Sequence, residues 1–151
     1  MPKLLILGYG NPLRGDDAAG RLAADALQSL IRDPGVEVLS LHQLTPELMV
    51  NISRADRVIF IDASASGRPG SYQRVPLHPA PQCASFTHHA TPEALLAGAR
   101  ALYGRAPEAE LYLIPGRNFD APDTLSAPVL AAVRKLVADL AESLQIAAPE
   151  L

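Results

Sequence analysis

The chain has 151 residues, 48% of them hydrophobic and 19% charged, a balance that suits a single compact domain spanning 1–151 and excludes a disordered or fibrous chain. With 13 basic and 16 acidic side chains the formal net charge is -3, so no field would gather nucleic acid or an anionic membrane surface. Aromatic residues are 5% with no Trp, which removes the stacking platforms of a single-strand binder, and Cys83 is the sole cysteine, which excludes an internal disulfide and a cysteine metal cluster and points to a reducing compartment.

Met1-Pro2-Lys3 leads into a short apolar run with no cleavable small-residue site and too few residues to cross a bilayer, so a cytoplasmic location is expected. That run, residues 3–7, breaks at Gly8-Tyr9-Gly10-Asn11-Pro12 and reads as a buried first strand entering a loop. Leu22, Ala26, Leu27, Leu30 and Ile31 then recur at helical spacing until Asp33-Pro34-Gly35. Residues 36–39 form a second strand, and Thr45-Pro46-Glu47 offers a cap, a first-turn proline and an acid for a helix near 46–53.

Arg57-Val58-Ile59-Phe60-Ile61 is the most β-branched and apolar run, as a strand covered on both faces should be, with Asp62 at its carboxyl end. Residues 72–77 give a weaker strand of undetermined direction, compatible with an antiparallel edge. Residues 79–87 have no period of their own. Thr91-Pro92-Glu93 starts another helix, running to about Tyr103, and residues 110–114 form the last strand. From Ser126 a final helix carries Val129, Leu130, Val133, Leu136, Val137, Leu140 and Leu144 on one stripe, to pack as a lid over one sheet face. The alternation predicts an α/β three-layer sandwich: a mostly parallel, twisted sheet of about five strands with helices on both faces.

Gly8-Tyr9-Gly10-Asn11 after the first strand invites a dinucleotide reading, but Leu13 occupies the third glycine position and Ser40, not an acid, follows the second strand. A Walker motif and a Gly-x-Ser-x-Gly elbow are both missing, and Cys83 before His88 matches no thiol-protease spacing. Asp16 and Asp17 stand where acids commonly cap the free amides of a helix start. Asp62 is harder to dismiss, because an acid after five residues of buried-strand character needs a partner or a task. His88 and His89 read alone as a solvated loop pair. Together, Asp17, Asp62 and His88 all fall just after a strand or just before a helix, which places them on one edge of the sheet. Two carboxylates and an imidazole suit zinc, nickel or another borderline divalent ion, assembled from three loops because no His-Glu-x-x-His helix exists.

The stretch Leu5-Ile6-Leu7-Gly8-Tyr9-Gly10-Asn11-Pro12-Leu13-Arg14-Gly15-Asp16-Asp17-Ala18-Ala19-Gly20 resembles the opening signature of hydrogenase maturation proteases. The likeness continues through Val58-Ile59-Phe60-Ile61-Asp62-Ala63, Thr87-His88-His89 and the helix opened by Leu125-Ser126, so it covers nearly the whole chain. It implies an endopeptidase that removes the C-terminal extension of a nickel-loaded hydrogenase large-subunit precursor, with Asp17, Asp62 and His88 as both metal-binding and catalytic residues. His88 is preferred to His89 because the family histidine precedes a hydrophobic pair at a spacing that Leu95-Leu96 satisfies. The resemblance further implies that nickel arrives with the substrate, that zinc or cadmium could fill the site in vitro, and that the precursor is the partner of a monomer.

One segment departs from the pattern: where many members carry an Asp-Gly-Gly-Thr-like stretch after the second strand, this chain has Ser40-Leu41-His42-Gln43. That leaves open which hydrogenase is processed and whether His42 takes a role. Two other readings of the same residues are a non-catalytic, nickel-site-recognising maturation chaperone and a metal-dependent hydrolase of small substrates.

Overall fold

The computed structural model describes residues 3–81, 90–122 and 124–144. Five strands, β1 (Leu4–Tyr9), β2 (Val36–Leu41), β3 (Arg57–Ser64), β4 (Gln73–Leu77) and β5 (Glu108–Pro115), form one sheet in the order β2-β1-β3-β5-β4. All pairs are parallel except β4 with β5, so the weak strand is an antiparallel edge. Four helices, α1 (Ala19–Leu30), α2 (Leu48–Arg54), α3 (Pro92–Tyr103) and α4 (Ala127–Ser143), complete the α/β three-layer fold that the alternating pattern predicts.

Two apolar clusters sandwich the sheet, and strand alternation decides which residue joins which. Leu4, Ile6, Ile59, Ile61 and Ile114 face α1 and α4, meeting Ala23, Leu27, Val133, Leu136 and Val137. Leu5, Leu7, Val58 and Phe60 face α2 and α3, meeting Met49, Ile52, Leu95 and Leu96. The last helix thus covers one face as its stripe predicts, but shares that face with α1. No helix among the described residues is long and apolar enough to cross a membrane.

Local chemistry sets several boundaries. Thr91 accepts a hydrogen bond from the Ala94 amide at 3.1 Å, Pro92 occupies the first turn, and Gly104 ends α3 with a left-handed φ of 75°. Thr45-Pro46-Glu47 behaves differently from the expected cap. A tight turn, in which the Leu48 amide donates to the Thr45 carbonyl at 3.1 Å, precedes a helix that begins only at Leu48. Strands β1 and β3 outrun their apolar cores, to Tyr9 and to Ser64, so Asp62 lies inside β3, paired with Leu113, instead of following it.

The glycines of the opening motif serve close packing. A Cβ on Gly20 would lie 2.3 Å from the Ile61 carbonyl oxygen, and one on Gly8 would lie 2.3 Å from the carbonyl oxygen of Gly20, so α1 can sit against β1 and β3 only with hydrogen at both positions.

Candidate active site at the carboxyl end of the sheet

Leaving β1, the chain returns through α1 on one face, whereas the crossover from β3 to β5 uses α3 on the other. The carboxyl ends of β1 and β3 therefore flank a point where the connections diverge, and open α/β sheets form clefts at such points. A cavity of about 550 Å³ opens there, lined by Tyr9, Asn11, Arg14, Asp17, His42 and Asp62 among others.

After β1 a tight 3-10 stretch, Pro12–Ala18, kinks at Arg14 and Gly15 and presents two adjacent acids in opposite directions. Asp16 is fully buried. Its Oδ2 accepts the amides of Arg117 and Asn118 at 2.8 and 2.7 Å and the Ser126 hydroxyl at 2.6 Å, while Oδ1 accepts the Ser126 amide at 2.7 Å. Burial opposes its charge, but the hydrogen bonds from Ser126, Asn118 and Arg117 outweigh burial and hold the carboxyl below the usual aspartate range. Asp16 does cap amides, as an acid there should, but those of the loop after β5 and of the start of α4 instead of its own helix. Nothing local in the sequence signals partners 101 to 110 residues away.

Asp17 turns to the cavity, and its Oδ2 accepts the Asn11 amide at 2.9 Å. That fold of the loop brings the Asp17 carbonyl so near Gly10 that a Cβ on Gly10 would lie 1.8 Å from it, which reserves the position for glycine.

Asp62 shares the parity of Val58 and Phe60 and so faces the α2 and α3 side, into the same cavity. Burial pushes its carboxyl up to about 6 and the charge of Asp17 adds to the rise, against hydrogen bonds from the Ala63 amide and the Tyr9 hydroxyl that favour the charged form. Burial, the Asp62 charge and the hydrogen bond to it push the Tyr9 phenol above the tyrosine range, so that hydroxyl keeps its proton. Among the described residues no Lys or Arg forms an ion pair with Asp17 or Asp62.

The structure thus unites two of the three residues singled out from sequence, Asp17 and Asp62, in one cavity. The third, His88, lies outside the described residues, as do His89 and Cys83. Ala90, two residues beyond His88, lines the cavity. Among the described residues no three His, Cys, Asp or Glu side chains gather as a metal cluster. His42 lines the cavity rim, so the segment that departs from the family pattern borders the two carboxylates. Ser64 is engaged with Ser66, its hydroxyl donating to the Ser66 carbonyl at 2.9 Å, and is no nucleophile paired with a base. Sequence reasoning passed over Tyr9, although alternation from Leu5 and Leu7 fixes its face.

No family model matches the sequence, and no curated relative aligns with it. Solved structures do match. The NiFe hydrogenase maturation protease HycI from Thermococcus kodakarensis KOD1 superposes with a TM-score of 0.78 at 25% identity, over 95% of this chain and 92% of that one. The hydrogenase maturating endopeptidase HybD from E. coli gives 0.76 at 25% identity over 96% and 93%. The NiFe hydrogenase maturation protease HybD from Thermococcus kodakarensis gives 0.67 at 26% identity over 95% and 99%. Because the likeness runs nearly the length of both chains, these structural relatives show that the protein shares the fold of hydrogenase maturation proteases.

Proposed function

We propose that this chain is an endopeptidase that removes the C-terminal extension of a nickel-loaded hydrogenase large-subunit precursor, acting as a cytoplasmic monomer. One observation carries the reading: Asp17 and Asp62 line a single cavity at the carboxyl end of the sheet with no ion-paired cation among the described residues. Two carboxylates that share a cavity and, among the described residues, pair with no cation repel one another even with Arg14 in the lining, which is part of why the Asp62 carboxyl rises to about 6. A divalent cation carried in by the substrate would supply the missing charge and convert that repulsion into binding energy. His88, two residues before the cavity-lining Ala90, would add an imidazole nitrogen to the two oxygens, a donor set suited to nickel.

On this reading the substrate's nickel is the recognition element. Its capture by Asp17, Asp62 and His88 fixes the precursor so that the peptide bond before the extension lies over the carboxylates, where a water can be oriented and relieved of a proton. That the structural relatives are a maturation protease and a maturating endopeptidase supports peptidase chemistry over a binding-only role.

The test is incubation of purified protein with a nickel-loaded large-subunit precursor, read by mass spectrometry. The wild type is expected to shorten the precursor, and Asp17→Asn or Asp62→Asn to slow shortening on the order of a hundredfold or more with the circular dichroism spectrum intact. Stable association without any mass loss would instead make the protein a non-cutting maturation partner. A tightly held zinc in the purified protein, with small-substrate hydrolysis, would make it a resident-metal hydrolase.

A further inference from the structure

Tyr9 is the last residue of β1, and alternation from Leu5 and Leu7 puts its ring on the α2 and α3 face, where it packs against the apolar cluster. The parallel register pairs Gly8 with Ile61, so one step further Tyr9 stands beside Asp62 on the neighbouring strand, and both line the cavity. Packing explains the ring but not the oxygen, because a phenylalanine would fill the same apolar contact. A phenolic hydroxyl half-buried at a strand end requires a partner, and the Asp62 carboxylate, on the same face of the neighbouring strand, is the acceptor that the register sets beside it.

Asp17 is held by the Asn11 amide at 2.9 Å, whereas the side chain that the sheet sets beside Asp62 is Tyr9. A hydroxyl on a rigid ring, mounted on a central strand, is a stiffer support than a loop amide. We infer that Tyr9 is a positioning residue for the proposed cleavage: its hydroxyl donates to one oxygen of Asp62, fixes the carboxylate's rotamer, and leaves the second oxygen directed at the substrate's cation. This role rests on the endopeptidase reading above.

Tyr9→Phe removes the hydroxyl and keeps the ring. Because a misaligned carboxylate still attracts the cation but holds it badly for reaction, turnover of the nickel-loaded precursor is expected to fall about tenfold with KM within about twofold of wild type. A residue that merely fills space would leave both constants unchanged. Unchanged turnover in Tyr9→Phe, with a wild type that cuts, overturns the positioning role and leaves the endopeptidase reading standing; a wild type that never cuts removes both. A second measurement avoids dependence on the variant's folding. In the wild-type protein NMR should show a Tyr9 hydroxyl proton protected from exchange, and Asp62→Ala should abolish that protection. A Tyr9 hydroxyl proton that exchanges freely in the wild type also overturns the assignment.

Discussion

At the amino end of the sheet Glu110, only 4% exposed, is gripped by the guanidinium groups of Arg57 and Arg74 and accepts the Tyr112 hydroxyl at 3.4 Å. At the carboxyl end Asp62 shares its cavity with Asp17, takes neutral hydrogen bonds, and has its carboxyl pushed up to about 6. Both ends carry acid within the same sheet, and the difference lies in how completely the charge is answered. A carboxylate matched by two cations has its electrostatics closed and serves the fold. A pair that, among the described residues, forms no ion pair with a cation costs stability and stays available to an incoming one. Asp16 and Asp17 repeat the lesson one residue apart, the first saturated by four donors and the second open to the cavity.

Substitutions can break the contrast. The largest expected effect on stability is at Asp16, where Asp16→Ala removes the fully buried carboxylate that accepts the Arg117, Asn118 and Ser126 amides and should cost about 3 kcal/mol in denaturant unfolding. A loss under 1 kcal/mol would mean that Asp16 does not hold the loop after β5 to the start of α4. Next, Glu110→Gln should cost about 2 kcal/mol, because Arg57 and Arg74 are exposed enough to turn to water once unpaired, and processing of the precursor should remain at wild-type rate. Reduced processing by that variant would show that the amino end is not purely structural.

The smallest effect is in pH dependence and has opposite signs at the two kinds of acid. The folded Asp62 carboxyl, at about 6, holds a proton that the unfolded chain has already lost, so stability should fall as pH rises from about 4 to about 6 and then level off. With water reaching part of the side chain, the drop should be about 1–2 kcal/mol, and Asp62→Asn should flatten it. Asp16, held below the ordinary aspartate range, contributes stability that is present above the unfolded value and lost as pH falls through its folded value, so its limb lies at more acid pH. A stability curve that rises between pH 4 and 6 in the wild type and is unaltered in Asp62→Asn would contradict the unanswered charge in the cavity.

Where sequence and structure agree, the signal is local. The β-branched run ending at Ile61, the Thr91-Pro92-Glu93 start of α3 and the apolar stripe of α4 each state their element within a few residues, because periodicity and capping act over one or two turns of chain. The misplacements are local as well. β3 continues through Asp62 to Ser64 because pairing with β5 outweighs the polarity of those residues, and α2 starts at Leu48 because a tight turn consumes Thr45-Pro46-Glu47. The candidate site was half legible: the motif resemblance and strand-end logic named Asp17 and Asp62, while Tyr9 and the saturated role of Asp16 escaped, since one needs strand register and the other partners across most of the chain.

By itself the sequence determined the order of strands and helices, the faces they bury and the acids placed at their ends, for these follow from side-chain spacing along a regular backbone. Only the tertiary structure decided that β4 runs antiparallel at the edge, that Tyr9 stands beside Asp62, that Asp16 joins the loop after β5 to α4, and that Asp17 and Asp62 share one cavity. Those choices depend on which strands become neighbours and in what register, and that is settled by packing between segments distant in the chain.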